Sequence, residues 1–366
     1  MRHSKFTKKK VAIVYDRVNK WGGAERVLLA LHEMFPEAPL YTSVYDSKSA
    51  SWAKVFPKII TSFLQNIPFA RGNHEFLAPL MPLAFESFDF SDFDLVISVT
   101  SEAAKGIKTG PKTLHICYLL TPTRYLWSGY NEYFKGSPFK AITKPIVSYL
   151  RKWDKMASKR PDKIIAISTE VKSRIKKYYG RNSKIVFPPV NTTLLYSNVV
   201  KEEETKKEYY LVISRLVRYK KVDLVIETFN KLGYPLVVVG AGREQERLKS
   251  MSTFGKTRFV GEVSENNLQK YYKNAKALIM PQEEDFGIVS VEAQSYGVPV
   301  IAFKKGGAKD TVINGKTGLF FDKQNVESLA SAIAKFEKMS FDSKIIIQNA
   351  KRFSKAVFKK EFLKHI

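Results

Sequence analysis

The chain has 366 residues, which is more than one compact core usually holds. Apolar residues make up 44% of it, which excludes wholesale disorder. The formal charge is +26, from 61 Lys plus Arg against 35 Asp plus Glu, so the protein attracts anions of some kind. Nucleic acid, anionic lipid and phosphorylated substrates all fit that charge. The basic residues are scattered, however, and no RNA- or DNA-binding module is present, so a nucleic-acid partner is not expected. Cys117 is the single cysteine, so no internal disulfide forms. It lies in the apolar run His115-Ile116-Cys117-Tyr118 and reads as buried strand filler.

The chain opens with Lys8-Lys9-Lys10 ahead of the apolar stretch Val11 to Tyr15. That stretch is too short for a signal segment and reads as a first buried strand. Trp21-Gly22-Gly23 makes a turn. Ala24 to Phe35 is predicted helical, with Val27, Leu28, Leu31 and Met34 at helical spacing. Leu95–Val99, His115–Leu119 and Lys163–Ile167 are predicted strands. Ser168 to Tyr179 is a predicted helix capped by Ser168 or Thr169. Near residue 190 the composition shifts. Pro188-Pro189 stops regular structure, and Asn191 to Glu208 is polar, with Glu202-Glu203-Glu204 and Lys206-Lys207.

The alternation then restarts. Tyr210–Ser214, Leu236–Gly240, Ala277–Met280 and Val300–Phe303 are predicted strands. Val222–Leu232 and Gly287–Tyr296 are predicted helices, and the basic tail from Ser340 onward is expected to be helical. Strands alternating with helices imply βαβ units and parallel sheet. The expected fold is α/β, with two Rossmann-like doubly wound domains facing a cleft. The expected boundaries are 1–190, a linker at 191–208, 209–345, and a basic C-terminal helix at 346–366 that packs back across the domains. Ligands in such sheets bind at the carboxyl ends of the strands.

Four segments could carry chemistry at those ends. Glu283-Glu284-Asp285-Phe286-Gly287-Ile288-Val289-Ser290-Val291-Glu292 follows a strand and enters a helix. Backbone N–H groups at Phe286, Gly287, Ile288 and Val289 suit a phosphate, and acids beside it suit sugar hydroxyls. Acids at a helix start also favour the macrodipole, so spacing alone leaves both readings open. Ser214-Arg215-Leu216-Val217-Arg218-Tyr219-Lys220-Lys221 follows another strand. Arg offers a planar fork and Lys a mobile charge for a pyrophosphate; a solvated basic turn explains the residues equally well. Gly22 and Gly23, and Gly240 with Gly242, let backbone approach a ligand, or simply make tight turns. Asp92-Phe93-Asp94 matches a metal-binding D-x-D pattern, but it stands directly before a strand and reads as a strand start. The five histidines have no zinc spacing, so no metal is expected.

Taken in order, these segments resemble family 4 of the glycosyltransferases. The chain is especially similar to the bacterial mannosyltransferase-like branch that builds surface polysaccharides and O-antigens. The matching stretches are Gly22 to Leu28, Thr61 to Gln65, Tyr178-Tyr179-Gly180, Pro188-Pro189-Val190, Arg215-Leu216-Val217, Glu283 to Gln294 and Gly297 to Ala302. The resemblance implies the GT-B fold, with acceptor-side and sugar-nucleotide-binding domains in that order. It also implies metal-independent transfer of a hexose with retained anomeric configuration, the sugar nucleotide being a substrate and no cofactor being required.

GDP-mannose is the donor it suggests first. A glycan, often lipid-linked, is the acceptor, which places the work at the cytoplasmic face of a membrane whose anionic surface would suit the charge. By the same resemblance Glu284 faces the donor sugar, Glu292 the ribose, and Arg215 and Lys220 the pyrophosphate. Gly22 and Gly23 lie near the phosphates, and Gly261 lies in the loop that holds the base. Relatives commonly carry a histidine before Thr121-Pro122, where this chain has Leu120. Arg124 and Trp127 nearby are further candidates for the sugar or acceptor pocket. The alternative readings are a UDP-sugar-using enzyme of the same fold and a non-catalytic sugar-nucleotide- or glycan-binding protein.

Overall fold

The computed structural model describes residues 9–68, 74–133, 140–192, 207–253 and 255–366. The chain divides into two compact units. The first comprises Met1–Pro188 with Phe358–Ile366, and the second Pro189–Val357. Most of the expected linker, residues 193–206, lies outside the described residues, as does Lys8.

The first unit is built on seven parallel strands: β1 (Val11–Tyr15), β2 (Leu40–Thr42), β3 (Ile59–Thr61), β4 (Leu95–Thr100), β5 (Leu114–Leu119), β6 (Lys163–Ala166) and β7 (Lys184–Ile185). Their order across the sheet is β3-β2-β1-β4-β5-β6-β7. The chain winds outward one way from β1 and then the other way from β4, so the switch in direction falls between those two strands. The helices are set by local signals. For Thr169–Tyr179, the Ser168 hydroxyl accepts the Val171 N–H at 3.1 Å and Gly180, at φ +69°, closes the last turn.

The second unit holds six parallel strands: β8 (Tyr209–Ile213), β9 (Leu236–Val239), β10 (Thr257–Gly261), β11 (Ala275–Met280), β12 (Val300–Phe303) and β13 (Gly318–Phe321). The order β10-β9-β8-β11-β12-β13 is that of a dinucleotide-binding doubly wound sheet, with its switch between β8 and β11. Side-chain alternation explains why both faces are covered. Tyr210, Val212, Val238, Ile279 and Ile301 pack against one helical layer containing Val225, Phe229 and Ile333. Leu211, Val237, Leu278, Met280 and Ala302 pack against the other, containing Tyr272 and Ala293. Runs of consecutive buried apolar residues are what such a doubly covered strand requires.

The expectation of a single basic helix over 346–366 is corrected. The tail forms two helices, Ser343–Lys351 and Lys355–Leu363. Between them the Phe353 carbonyl accepts the Val190 N–H at 2.9 Å, which takes this backbone out of the helical ladder. The last residues join the first unit, where Phe358 and Phe362 pack on Tyr118 of β5.

Candidate functional site

In the second unit the loops after β8 and β11 flank the switch point, where ligands bind in such sheets. They carry the segments singled out in the sequence. From the first loop, the Lys220 ammonium donates to the Glu284 carboxylate of the second, and Gln282 Nε2 donates to the same oxygen at 2.8 Å. The two partners of the ion pair keep side-chain exposures of 13% and 20%, so the pair is neither dry nor freely solvated. Arg215 is exposed and donates from Nη2 to the Tyr219 hydroxyl at 2.6 Å, and Lys220 lies 5.2 Å from the same ring. Tyr219 therefore sits between the two cations and spaces them. Lys221, at φ 55°, is the one non-glycine residue with positive φ among those described. Such backbone is uncommon for any residue with a Cβ and concentrates at ligand-binding loops.

Glu292 belongs to a different cluster. It lies on the helix Ile288–Ser295 and accepts the Tyr272 hydroxyl at 2.9 Å. Tyr272 stacks on Tyr296, with ring centres 5.1 Å apart. Burial, reinforced by Glu292, pushes the Tyr296 hydroxyl up to about 12. The helix begins after Gly287, whose φ of +87° no other residue adopts cheaply. The Phe286 ring is buried against Phe353 at 5.5 Å, so what Phe286 offers a ligand is backbone. Ile288 and Val289 are half-buried and occupy the first turn, where backbone N–H groups lack intrahelical acceptors.

Two contributions to this site gave little warning in the sequence. Gly306 and Gly307, after β12, hold the acidic loop in place. The Gly307 N–H donates to the Glu284 carbonyl at 2.8 Å, and a side chain on Gly307 would meet the Phe286 backbone at 2.3 Å. The signal was present as a second Gly-Gly pair behind a strand. Tyr272 as the partner of Glu292 had no local signal, because the two are joined only by the packing of two helices. The loops after β9 and β10 complete the edge. Gly240 donates to the Gly261 carbonyl at 2.7 Å, and a Cβ on Gly240 would lie 2.0 Å from the Ser214 carbonyl oxygen. Gly261 itself has φ +80° and open space where a side chain would point.

In the first unit, Gly22 and Gly23 stand at the carboxyl edge of β1, again beside the switch point. Gly22 is the extended N-cap of the helix Gly23–Met34, and its missing side chain would lie 3.2 Å from Glu25 Oε2. Glu25 is buried and accepts the Tyr15 hydroxyl at 2.8 Å. Asp16 is also buried. Its carboxylate accepts the N–H groups of Ser101, Glu102, Ala103 and Ala104 at 2.7 to 3.0 Å, which locks the loop after β4 onto the end of β1. Burial pushes the neighbouring Glu102 carboxyl upward, against the pull of Arg17 at 2.6 Å.

Trp127 has a structural post. Its indole donates to Asp154 at 2.7 Å and its ring stacks on Tyr178 at 5.2 Å. Asp154 is buried in a salt bridge with Lys105 at 2.5 Å and also accepts the Tyr179 hydroxyl at 2.7 Å. Leu120 continues β5 and donates its N–H to Thr100 at 2.8 Å. Asp94 donates its backbone N–H to the Lys10 carbonyl and accepts the Lys10 N–H on its carboxylate at 2.8 Å, at the start of β4.

Comparison with known proteins adds to this geometry. Residues 197–353 match the family model described as glycosyl transferases group 1. Over 199 residues the chain is 30% identical to the GDP-mannose-dependent alpha-(1-6)-phosphatidylinositol monomannoside mannosyltransferase of Mycobacterium tuberculosis, covering 47% of this chain and 52% of that one. Over 205 residues it is 25% identical to an uncharacterized glycosyltransferase of Methanocaldococcus jannaschii, covering 55% and 57%. The chain thus spans little more than half the length of the curated relatives it matches. Among solved structures, the lipopolysaccharide outer core galactosyltransferase WaaB superposes with a TM-score of 0.69 at 19% identity, over 96% of this chain and 98% of that one. Anabaena HepE in complex with UDP superposes with 0.69 at 18% identity, over 97% and 99%. The fold is the two-sheet Rossmann-like architecture of GT-B glycosyltransferase structures.

Proposed function

We propose that the protein is a retaining, metal-independent hexosyltransferase that moves a sugar, first of all mannose from GDP-mannose, onto a lipid-linked glycan acceptor at the cytoplasmic face of a membrane. The observation that carries this reading is the meeting of Lys220 with Glu284 across the switch point of the second sheet, with Arg215 on the same loop as Lys220. A sugar diphosphate needs a cationic partner for its phosphates and, close beside it, an acceptor for its sugar hydroxyls. This loop pair supplies both.

Arg215 and Lys220 hold the diphosphate, with the backbone N–H groups of Phe286 and Gly287, leading into the helix, and of Ile288 and Val289, in its first turn, beside it. Glu284 accepts from the donor sugar. Glu292, held by Tyr272, accepts from the ribose, and the loop at Gly261 borders the base. Gly22 and Gly23, at the carboxyl edge of β1, leave the backbone of the first unit open to close approach by a ligand.

In the reaction the bond between the anomeric carbon and the diphosphate oxygen breaks, and its electron pair leaves with the nucleotide. An acceptor hydroxyl oxygen bonds to the same carbon, and its proton passes to the departing phosphate. Charge grows on the leaving oxygen, so Arg215, Lys220 and the helix start stabilise the transition state more than the ground state.

GDP-mannose is favoured by the mannosyltransferase relative, whose name states that donor. A UDP-sugar is the second reading, favoured by HepE, which was solved with UDP and UDP-glucose. Incubating the protein with GDP-mannose or UDP-glucose and lipid-extracted acceptors separates them. The proposal expects equimolar nucleoside diphosphate and glycosylated lipid from GDP-mannose. Release of free sugar alone, or no turnover with either donor, contradicts it.

A further inference from the structure

We propose that the second unit carries a further ligand site at the amino edge of its sheet, and that its occupant is a small organic monoanion with a flat apolar body, an aromatic carboxylate being the simplest kind. The residues of the transfer reading stand at the opposite, carboxyl edge, and the further site uses none of them. A cavity of about 260 Å³ opens at the amino edge. Three neighbouring strand starts reach it. Lys207 stands just before β8, Lys276 is near the start of β11, and Pro299 directly precedes β12. The facing wall is the end of the helix Val326–Phe336 and the chain leading to the helix Ser343–Lys351, with Phe336, Met339 and Phe341.

The two cations are held differently. Lys276 is already paired. Its ammonium lies 3.4 Å from the Glu337 carboxylate, which also accepts the Tyr210 hydroxyl, and 5.9 Å from the centre of the Tyr234 ring. Lys207 pairs with no carboxylate among the described residues. Its ammonium can donate in three directions and finds one acceptor, the Gly297 carbonyl, at 3.5 Å. That is the outer limit of a hydrogen bond, and the Ser343 hydroxyl reaches the same oxygen from the same distance. Burial pulls the Lys207 pKa below the ordinary lysine value, because the ammonium has lost water without gaining a counter-ion. The helix Ile288–Ser295 ends beside Gly297, and a cation is favoured at such an end, which explains why Lys207 leans on that carbonyl. It does not explain the open volume beside the ammonium. Two lysines against one glutamate leave a single positive charge, which matches a monoanion.

The rest of the lining is apolar. The rings of Phe336 and Phe341 stack with centres 5.2 Å apart and planes 20° from parallel, so they form one flat slab. Phe336 is buried and Phe341 only half-buried, so the outer ring keeps surface to offer. A flat ring packs against such a slab by offset stacking or edge to face. Inorganic phosphate would satisfy Lys207 and leave the slab wet. An uncharged hydrocarbon would cover the slab and leave Lys207 unpaired. A molecule with both parts satisfies both. At ~30 Å³ per water the cavity has the room of about nine waters, which suits a one-ring compound.

The test is fluorine NMR of para-fluorobenzoate with the full chain and no sugar nucleotide. Four proteins are compared: the parent, Lys207→Gln, Phe341→Leu, and a control, Lys344→Gln. The control removes the same charge from an exposed position on the neighbouring helix, outside the lining. Two further probes divide the ligand into its parts. para-Fluorobenzyl alcohol keeps the body without the charge, and inorganic phosphate, added as a competitor, keeps the charge without the body.

The expected result is parent binding with a Kd of about 1 mM, the reach of about ten non-hydrogen atoms. Lys207→Gln should weaken it about tenfold and Phe341→Leu about threefold or more, while Lys344→Gln leaves it unchanged. The alcohol and phosphate should each bind at least about tenfold more weakly than the carboxylate. No binding at about 10 mM, equal loss in Lys207→Gln and Lys344→Gln, or an alcohol or phosphate that binds as tightly as the carboxylate overturns the proposal. Melting curves confirm that the fold is kept, and Phe341→Leu decides the matter where Lys207→Gln fails to fold. Lys220 and Glu284 are untouched and no donor is present, so this result and the failure of the transfer reading are separate observations.

Discussion

Lys220 has two acceptors to choose from: the Glu284 carboxylate it touches and, in the reading proposed, the donor diphosphate. Lys220→Ala removes the cation from the leaving group, and a drop of about 10²- to 10³-fold in kcat/KM is expected, the scale of losing one preorganised stabiliser. Stability should fall by no more than ~1 kcal/mol, because the pair is partly solvated and Gln282 still donates to Glu284. Steady-state kinetics with melting curves measures both, and near-normal turnover would remove Lys220 from the site. Tyr272→Phe deletes only the hydroxyl that orients Glu292. A loss of ~1 kcal/mol in donor affinity, about five- to tenfold, is expected by titration calorimetry, with kcat nearly unchanged.

His115 makes a prediction about pH. It is buried in β5, its Nε2 lies 2.8 Å from the Ser98 hydroxyl, and its Nδ1 finds no partner. Burial lowers its pKa to about 3 from the ordinary 6.5. The unfolded chain therefore takes up a proton that the folded chain refuses. The stability from this group is complete above about pH 6.5 and is lost as pH falls from there toward 3, by up to ~1.4 kcal/mol per pH unit. Urea unfolding at several pH values should show that slope, and His115→Gln should flatten it whatever its effect at neutral pH. Identical slopes in the two proteins would mean that His115 is not held neutral.

At the scale of elements, the carboxyl edge of the second sheet is built by backbones in contact. Gly240 at φ +124° lets the end of β9 lie against Ser214, the residue that starts the loop of Arg215 and Lys220. Gly240→Ala must push those strands apart, so a loss of about 1–3 kcal/mol is expected together with weaker nucleotide binding. Chemical denaturation and nucleotide titration of the variant check this, and parent-like values in both would show that the contact yields freely.

The same scale shows what the sequence made legible. β1, β12 and the helix Val222–Leu232 fall where apolar runs and helical spacing put them, because each is long or strongly periodic enough to declare itself. β2, β3 and β7 carry no such signal, since two or three residues hold no period and these short strands are defined by pairing with neighbours far along the chain. At the site, Arg215, Lys220, Glu284 and Gly240 are legible through residue type and position after strands. Tyr219, Gln282 and Tyr272 are not. Their roles arise from which loops and helices the sheet order makes adjacent, and that order is not written in any local window.

At the scale of the whole molecule, two doubly wound units of this kind carry ligands at the carboxyl edges of their sheets, and Gly22 and Gly23 in the first unit, and Arg215, Lys220 and Glu284 in the second, lie at that edge beside the switch point. Charge and fold point the same way, toward phosphate-bearing ligands. The most direct test is the melting temperature of the parent and of Lys220→Ala with GDP, GDP-mannose, UDP and UDP-glucose in turn. A ligand at a hundred times its Kd adds ~2.7 kcal/mol to the folded state. The account predicts stabilisation by GDP and GDP-mannose that is largely lost in Lys220→Ala. No stabilisation by any of the four nucleotides, or stabilisation undiminished in the variant, would contradict it.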